Sequence, residues 1–170
     1  MADMDKNMMA DLEQKAGKEA LAAVFKEIDK SVEKNTSYFI TSVPSLSYLS
    51  PAPGENFRDI LFWYPLPGKD EEAQKIIQEW LTLYKSKNAP SGVLTFKSVF
   101  GTEPGYAFVA WGKNPADLAA KDQKNNELFG DAAAKLWERT LAITKHYNNI
   151  RAWVLPDHSN MQAPAVAVTK

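Results

Sequence analysis

The 170-residue chain has no cysteine and only two histidines, His146 and His158. The first absence excludes disulfides, thiolate metal sites and cysteine nucleophiles. The second means that a three-ligand transition-metal site would need carboxylates, and the sequence does not display them at ligand spacing. No charge of one sign dominates. Lys+Arg number 20 against 21 for Asp+Glu, so no net field draws the chain to nucleic acid or to an acidic membrane surface. No apolar run approaches the roughly 20 residues of a membrane span, and the opening MADMDKNMM lacks the apolar centre of a signal peptide. Phosphate loops rich in glycine, nucleophile elbows, zinc helix motifs and triad spacings are missing too. Neither nucleic acid nor membrane is an expected partner.

What the chain does have is a repeat. Ala2, Asp3 and Met4 match Ala116, Asp117 and Leu118, and Glu19, Ala20, Ala22, Val24 and Phe25 match Asp131, Ala132, Ala134, Leu136 and Trp137. Both copies end a helical pattern and run to a Pro, at Val43-Pro44 and Leu155-Pro156. The offset changes by two residues between the matches, and a period this long indicates duplicated domains rather than a solenoid. In the first copy the apolar positions Leu12, Ala16, Ala20, Val24, Ile28 and Val32, widened by Leu21 and Phe25, predict a helix softened at Gly17. A strand is expected over 38–43, and SPAPGEN at 50–56 reads as a connection.

From Phe57 onward the predicted order is strand, helix, strand, strand, helix, strand. RDILFWYPL at 58–66 is apolar on both faces and must be covered on both. Asp70 is expected to cap the helix that follows, whose buried stripe is Ala73, Ile76, Ile77, Trp80, Leu81 and Tyr84. GVLTFKSVFG (92–101) and GYAFVAWG (105–112) read as a hairpin. Asn114 caps a long helix with Pro115 at its first position, and Phe129-Gly130-Asp131 divides it. NIRAWVL (149–155) is the last expected strand.

This βαββαβ order resembles the dimeric α/β-barrel superfamily over residues 57–156, with 1–44 resembling the last helix and strand of a preceding unit. The resemblance implies an α+β fold: a ferredoxin-like antiparallel sheet with two helices on one face, its other face paired with a second sheet into a dimeric α/β barrel. The expected organisation is a partial first repeat at 1–50, a linker at 51–56, the complete unit at 57–156 and a tail at 157–170. A homo-oligomer through the sheet face is expected. A partial first copy also suggests that the natural protein extends upstream of Met1, or that the extra helix and strand complete another chain's sheet. The protein is expected to be cytoplasmic if Met1 is the true start, with an extracytoplasmic location open if it is not.

Charges and tryptophans inside apolar strands supply the candidate site. Alternation puts Arg151 and Trp153 on one side of their strand and Thr95 and Lys97 on one side of theirs. With Trp63 and Trp111 they would offer an aromatic pocket that seeks anions, if those sides face the barrel. The competing reading is packing for the tryptophans and solvated rim positions for the two cations. The first functional expectation is therefore a protein that binds a small apolar or aromatic organic ligand, with or without a carboxylate, in a pocket lined by the sheet. The resemblance implies an alternative, a cofactor-independent or haem-degrading-type monooxygenase, and a structural domain with a filled barrel is the third. No cofactor is predicted from the residues. Through the resemblance haem stays open, with His146, read as the end of the last helix, or His158 as its ligand.

Overall fold

The computed structural model describes residues 10–33, 39–100 and 105–156. The chain divides into two units, Met1–Ser37 and Tyr38–Lys170. In the first, α1 (Ala10–Ala16) and α2 (Lys18–Asp29) are separated by Gly17, whose φ of 81° only glycine adopts readily. The helical period is as the sequence predicts, yet α2 buries none of its residues and Val24, Phe25 and Ile28 are exposed.

The second unit holds one five-stranded antiparallel sheet. Its strands are β1 (Phe39–Ser42), β2 (Phe57–Pro65), β3 (Leu94–Phe100), β4 (Tyr106–Gly112) and β5 (Thr144–Trp153), in the order β1-β3-β4-β2-β5. Helix α3 (Asp70–Ser86) follows β2, and α4 (Pro115–Ala142) follows β4. Strands β2 to β5 with these two helices make the ferredoxin-like βαββαβ arrangement, an α+β fold. Strand β1 is a fifth member, added to the β3 edge with Thr41 opposite Lys97. Positions 1–9, 34–38, 101–104 and 157–170 lie outside the described residues, and with them the Ala2 to Met4 match, the hairpin turn, the tail and His158.

The register assigns the faces. Trp63 lies opposite Tyr106 on β4 and Tyr147 on β5, Leu61 opposite Phe108 and Asn149, and Asp59 opposite Ala110 and Arg151. Thr95 and Lys97 lie opposite Phe108 and Tyr106. These residues share the side that meets the helices, where Trp63, Tyr106, Ala73, Ile76, Ile77, Leu136, Ile143 and Leu46 form the core. Each buried isoleucine or leucine there contributes about 1.5 to 3 kcal/mol of apolar burial. The opposite side carries Arg58, Ile60, Phe62 and Tyr64 on β2, Ala107, Val109 and Trp111 on β4, Leu94 and Phe96 on β3, and Ile150 on β5. Ile60, Phe62, Val109, Leu94 and Phe96 are half-buried, and Ile150 is exposed. Neither α3 nor α4 covers that side.

Three expectations need correction. Asp70 is not the cap of α3: Lys69 holds that position without a side-chain cap bond, and Asp70, Glu71 and Glu72 form an acidic first turn that suits the helix dipole. The last strand begins at Thr144 rather than 149, so His146 sits on β5 and not at a helix end. Its polar run Thr144–Asn149 belongs to a sheet edge, where side chains meet water and hydrophobic alternation is weak. Trp137, read as a packing position, is 42% exposed. By contrast, Asn114 caps α4 through a 2.9 Å bond from the Asp117 amide, with Pro115 at the first turn, and Gly130 breaks the helix at φ 50°.

One close approach fixes the outer end of β4. A Cβ on Gly92 would lie 2.4 Å from the Tyr48 carbonyl and 2.6 Å from the Trp111 ring. Gly92→Ala is expected to cost about 1 to 3 kcal/mol through overpacking, read from the urea midpoint; an unchanged midpoint would contradict this packing.

Candidate functional site

Between the sheet and the two helices lies a cavity of about 220 Å³. Its sheet wall is Leu61, Trp63, Thr95, Phe108 and Tyr147; its helix wall is Ile76, Ile77, Trp80, Leu81 and Tyr84 from α3, with Trp137 and Thr140 from α4. Leu46 and Val93 close one side. Trp137 and Tyr147 are 42% and 55% exposed, which puts the mouth at that end. The rings are ordered around the chamber: Trp63 stands 5.9 Å from Tyr106 and 6.2 Å from Phe108, centroid to centroid.

Five polar groups of this wall, two indoles and three threonines, are already engaged as donors. The Trp63 indole N–H donates to Thr144 Oγ1 at 2.7 Å, and the Trp80 indole N–H to Thr140 Oγ1 at 3.1 Å. Each threonine then donates its own hydroxyl to a main-chain carbonyl: Thr144 to Thr140 at 2.7 Å, Thr140 to Leu136 at 2.8 Å and Thr95 to Leu46 at 2.7 Å. A hydroxyl has one proton and two lone pairs, so these groups keep acceptor capacity and offer a ligand no donor. The interior therefore suits rings, and of these five groups the threonines can accept a hydrogen bond from a ligand while none can donate one.

Next to Tyr84, outside the cavity wall, lies a group of polar residues. Tyr84 packs edge-on against Phe129 at 5.0 Å and is hydrogen-bonded by the buried Asn125, whose amide nitrogen also donates to Ser91 Oγ. Burial, with the Asp122 charge nearby, pushes the Tyr84 phenol up to about 12. Asp122, an exposed residue on the same side of α4 as Asn125, has its carboxyl raised by partial desolvation and by the charge of Asp59 on β2. Asp59 Oδ1 and Asn125 Oδ1 are buried without a hydrogen-bond partner. Lys121, the cation next to Asp122, bonds Glu55 and lies 3.1 Å from Asp117, tying the 50–56 connection to α4.

Of the six residues singled out by the sequence, the cavity brings together two, Trp63 and Thr95. Arg151, Trp153 and Lys97 share the helix-facing side but lie toward its exposed edges: Lys97 Nζ sits 5.7 Å over the Tyr106 ring, and Trp153 packs on Phe57 at 5.2 Å. Trp111 is buried on the other face against Gly92. The sequence missed Trp80, Tyr84 and Phe108 as site residues. His146 stacks on Tyr64 at 4.4 Å on the face away from the cavity, and the cavity wall contains no histidine. A haem held by His146 would thus lie outside the chamber, and the chamber residues do not fit one. Among the described residues no cluster of three His, Cys, Asp or Glu stands at metal-binding distance, and no helix is long and apolar enough to cross a membrane.

The elevated Tyr84 phenol has a stability consequence. The folded state holds its proton more tightly than the unfolded chain, so its contribution is complete below pH 10 and lost as pH rises toward 12. Denaturation midpoints should fall across that window, and Tyr84→Phe should flatten the fall; an identical decline in both proteins would contradict the burial of this hydroxyl.

No family model and no curated protein matches the chain. Among solved structures, an anthrone oxidase-like protein is similar at 13% identity, covering 63% of this chain and 47% of its own, with a TM-score of 0.47. A dimeric ferredoxin-like protein from an uncultured marine organism is similar at 15% identity, covering 64% of this chain and 94% of its own, with a TM-score of 0.46. The chain thus spans about half the length of the first of these.

Proposed function

We propose that the chain binds a small apolar or aromatic organic molecule in the chamber between its sheet and helices. The observation that carries this reading is the cavity itself, about 220 Å³ and walled by Trp63, Trp80, Phe108 and Leu61. An engineered cavity of about 150 Å³ with a comparable apolar wall stays dry and binds benzene, so this one has room for a substituted single ring. It favours ligand binding over a structural domain with a filled interior. Calorimetric titration with toluene or indole should give saturable binding at one site per chain, and Leu61→Phe, which narrows the chamber, should weaken it about tenfold. Equal affinity in both proteins would place the ligand elsewhere.

A second reading, a cofactor-independent monooxygenase acting on an electron-rich ring, uses the same chamber. What favours it is the pairing of a dry aromatic wall with polar atoms that only accept, since such atoms hold a phenolic O–H and draw on its proton. Nothing in the geometry supports the haem-degrading version.

The apolar outer face of the sheet favours a homodimer in which two copies lay these faces together as a barrel. Ile60, Phe62, Val109 and Phe96 form a contiguous apolar surface of the kind that monomers seldom leave in water. Sedimentation should show a dimer for the full chain and a monomer for Phe62→Lys; a wild-type monomer at micromolar concentration would overturn the pairing.

A further inference from the structure

We propose that the second segment of α4, residues 131–142, is the gate of the chamber: it swings away from α3 to admit the ligand, with Gly130 as the joint and the Arg139–Glu79 ion pair as the latch. This rests on the ligand-binding reading above and adds the way in. Helix α4 consists of two segments that are held differently. The first is fixed at its start by the Asn114 cap and along its length by the buried Leu118, Asn125 and Phe129, and Lys121 ties it to Glu55. It gives the chamber wall no side chain. The second supplies Trp137 and Thr140 to that wall, and the exposed Trp137 stands at the mouth. Between the two, Gly130 at φ 50° and ψ −135° interrupts the helix. Among the described residues, no atom beyond the helix's own backbone lies within 4 Å of the place a Cβ would take there, so the joint is not packed in.

The second segment is loosely held. Of its residues only Leu136 and Thr140 are buried, and a stretch with few buried apolar contacts is among the first parts of a fold to open. The chamber lies on one side of it. On another, an open groove of about 300 Å³ separates it from α3, with Leu83 and Ser86 across from Ala132 and Lys135. Hollows on two sides leave room to turn. Ile143, buried in the core, anchors the far end, so rotation about that residue carries Trp137 out of the mouth while Gly130 takes up the change in backbone direction. Two polar contacts join the segment to α3 and oppose the movement. The Trp80 N–H donates to Thr140 Oγ1 at 3.1 Å, and the Arg139 guanidinium donates to both Glu79 carboxylate oxygens, to one of them at 2.9 Å. The two side chains of this ion pair are 53% and 47% exposed. A pair so exposed contributes little to stability, and it can part and re-form in water without unfolding the helix.

Because the chain has no cysteine, Glu79→Cys combined with Arg139→Cys presents the only two thiols to a short bifunctional methanethiosulfonate, and dithiothreitol removes the bridge. Fluorobenzene is the probe, its association and dissociation rates read by fluorine exchange NMR in the full chain. Bridging should slow both rates about tenfold and change affinity less than about twofold, because a gate controls access and not contact; dithiothreitol should restore the rates. Glu79→Gln, which keeps the size of the side chain and removes its charge, should raise both rates about threefold. Equal rates in the bridged and released forms would overturn the gate while the chamber remains a ligand site, as would a loss of affinity carried by faster dissociation. If near-ultraviolet circular dichroism shows the double variant unfolded, wild-type rates in Glu79→Gln overturn the gate in its place. If fluorobenzene does not bind the wild-type chain, both readings fall.

Discussion

The structure depends on burying a strand that is apolar on both of its faces. On β2, Phe57, Leu61 and Trp63 alternate with Ile60, Phe62 and Tyr64, so neither side of the central sheet can be left to water without loss. Helices α3 and α4 cover the first set through Ala73, Ile76, Ile77 and Leu136. Covering is incomplete in one place: large rings on both layers hold sheet and helices apart instead of interlocking, and the cavity is the space that remains. The second set lies on the sheet's other side, which neither of these helices covers. One sequence pattern thus generates both the internal chamber and the outer face that the proposed dimer would use.

The chamber's chemistry follows from how its polar groups are satisfied. Two indole N–H groups and three threonine hydroxyls would be expensive to bury alone. They are joined in short relays that end on the carbonyls of Leu136, Thr140 and Leu46, and the relays stiffen the wall while committing the protons of these five groups. What these groups leave over is acceptor capacity on the threonine oxygens.

Much of the fold was legible from the residues. The stripe of α3, the Asn114-Pro115 start and Gly130 break of α4, and the strands around Trp63 and Trp111 all follow from local periodicity and punctuation, which the tertiary structure leaves intact. The start of β5 was not, because Thr144 to Asn149 lie on an exposed edge where neither period is imposed by burial. The site was less legible still. Trp63, Trp111, Thr95, Lys97, Arg151 and Trp153 read as one lining from the sequence, but the register puts Trp111 on the other face, and no pattern within a strand reveals which side the helices take. Trp80 and Tyr84 read as core positions because a helix stripe that lines a cavity has the same spacing as one that fills it. Arg151 and Lys97, the cations expected to draw an anion, are exposed at the rims of their strands and do not line the cavity.

The most direct test of the account is the response of the five tryptophan indole N–H resonances to a saturating small ring compound, followed by two-dimensional NMR. The account predicts that Trp63, Trp80 and Trp137, which line the chamber, shift together, while Trp111 on the other face and Trp153 at the edge stay in place. Shifts confined to Trp111 and Trp153 would contradict it, as would no shift at all.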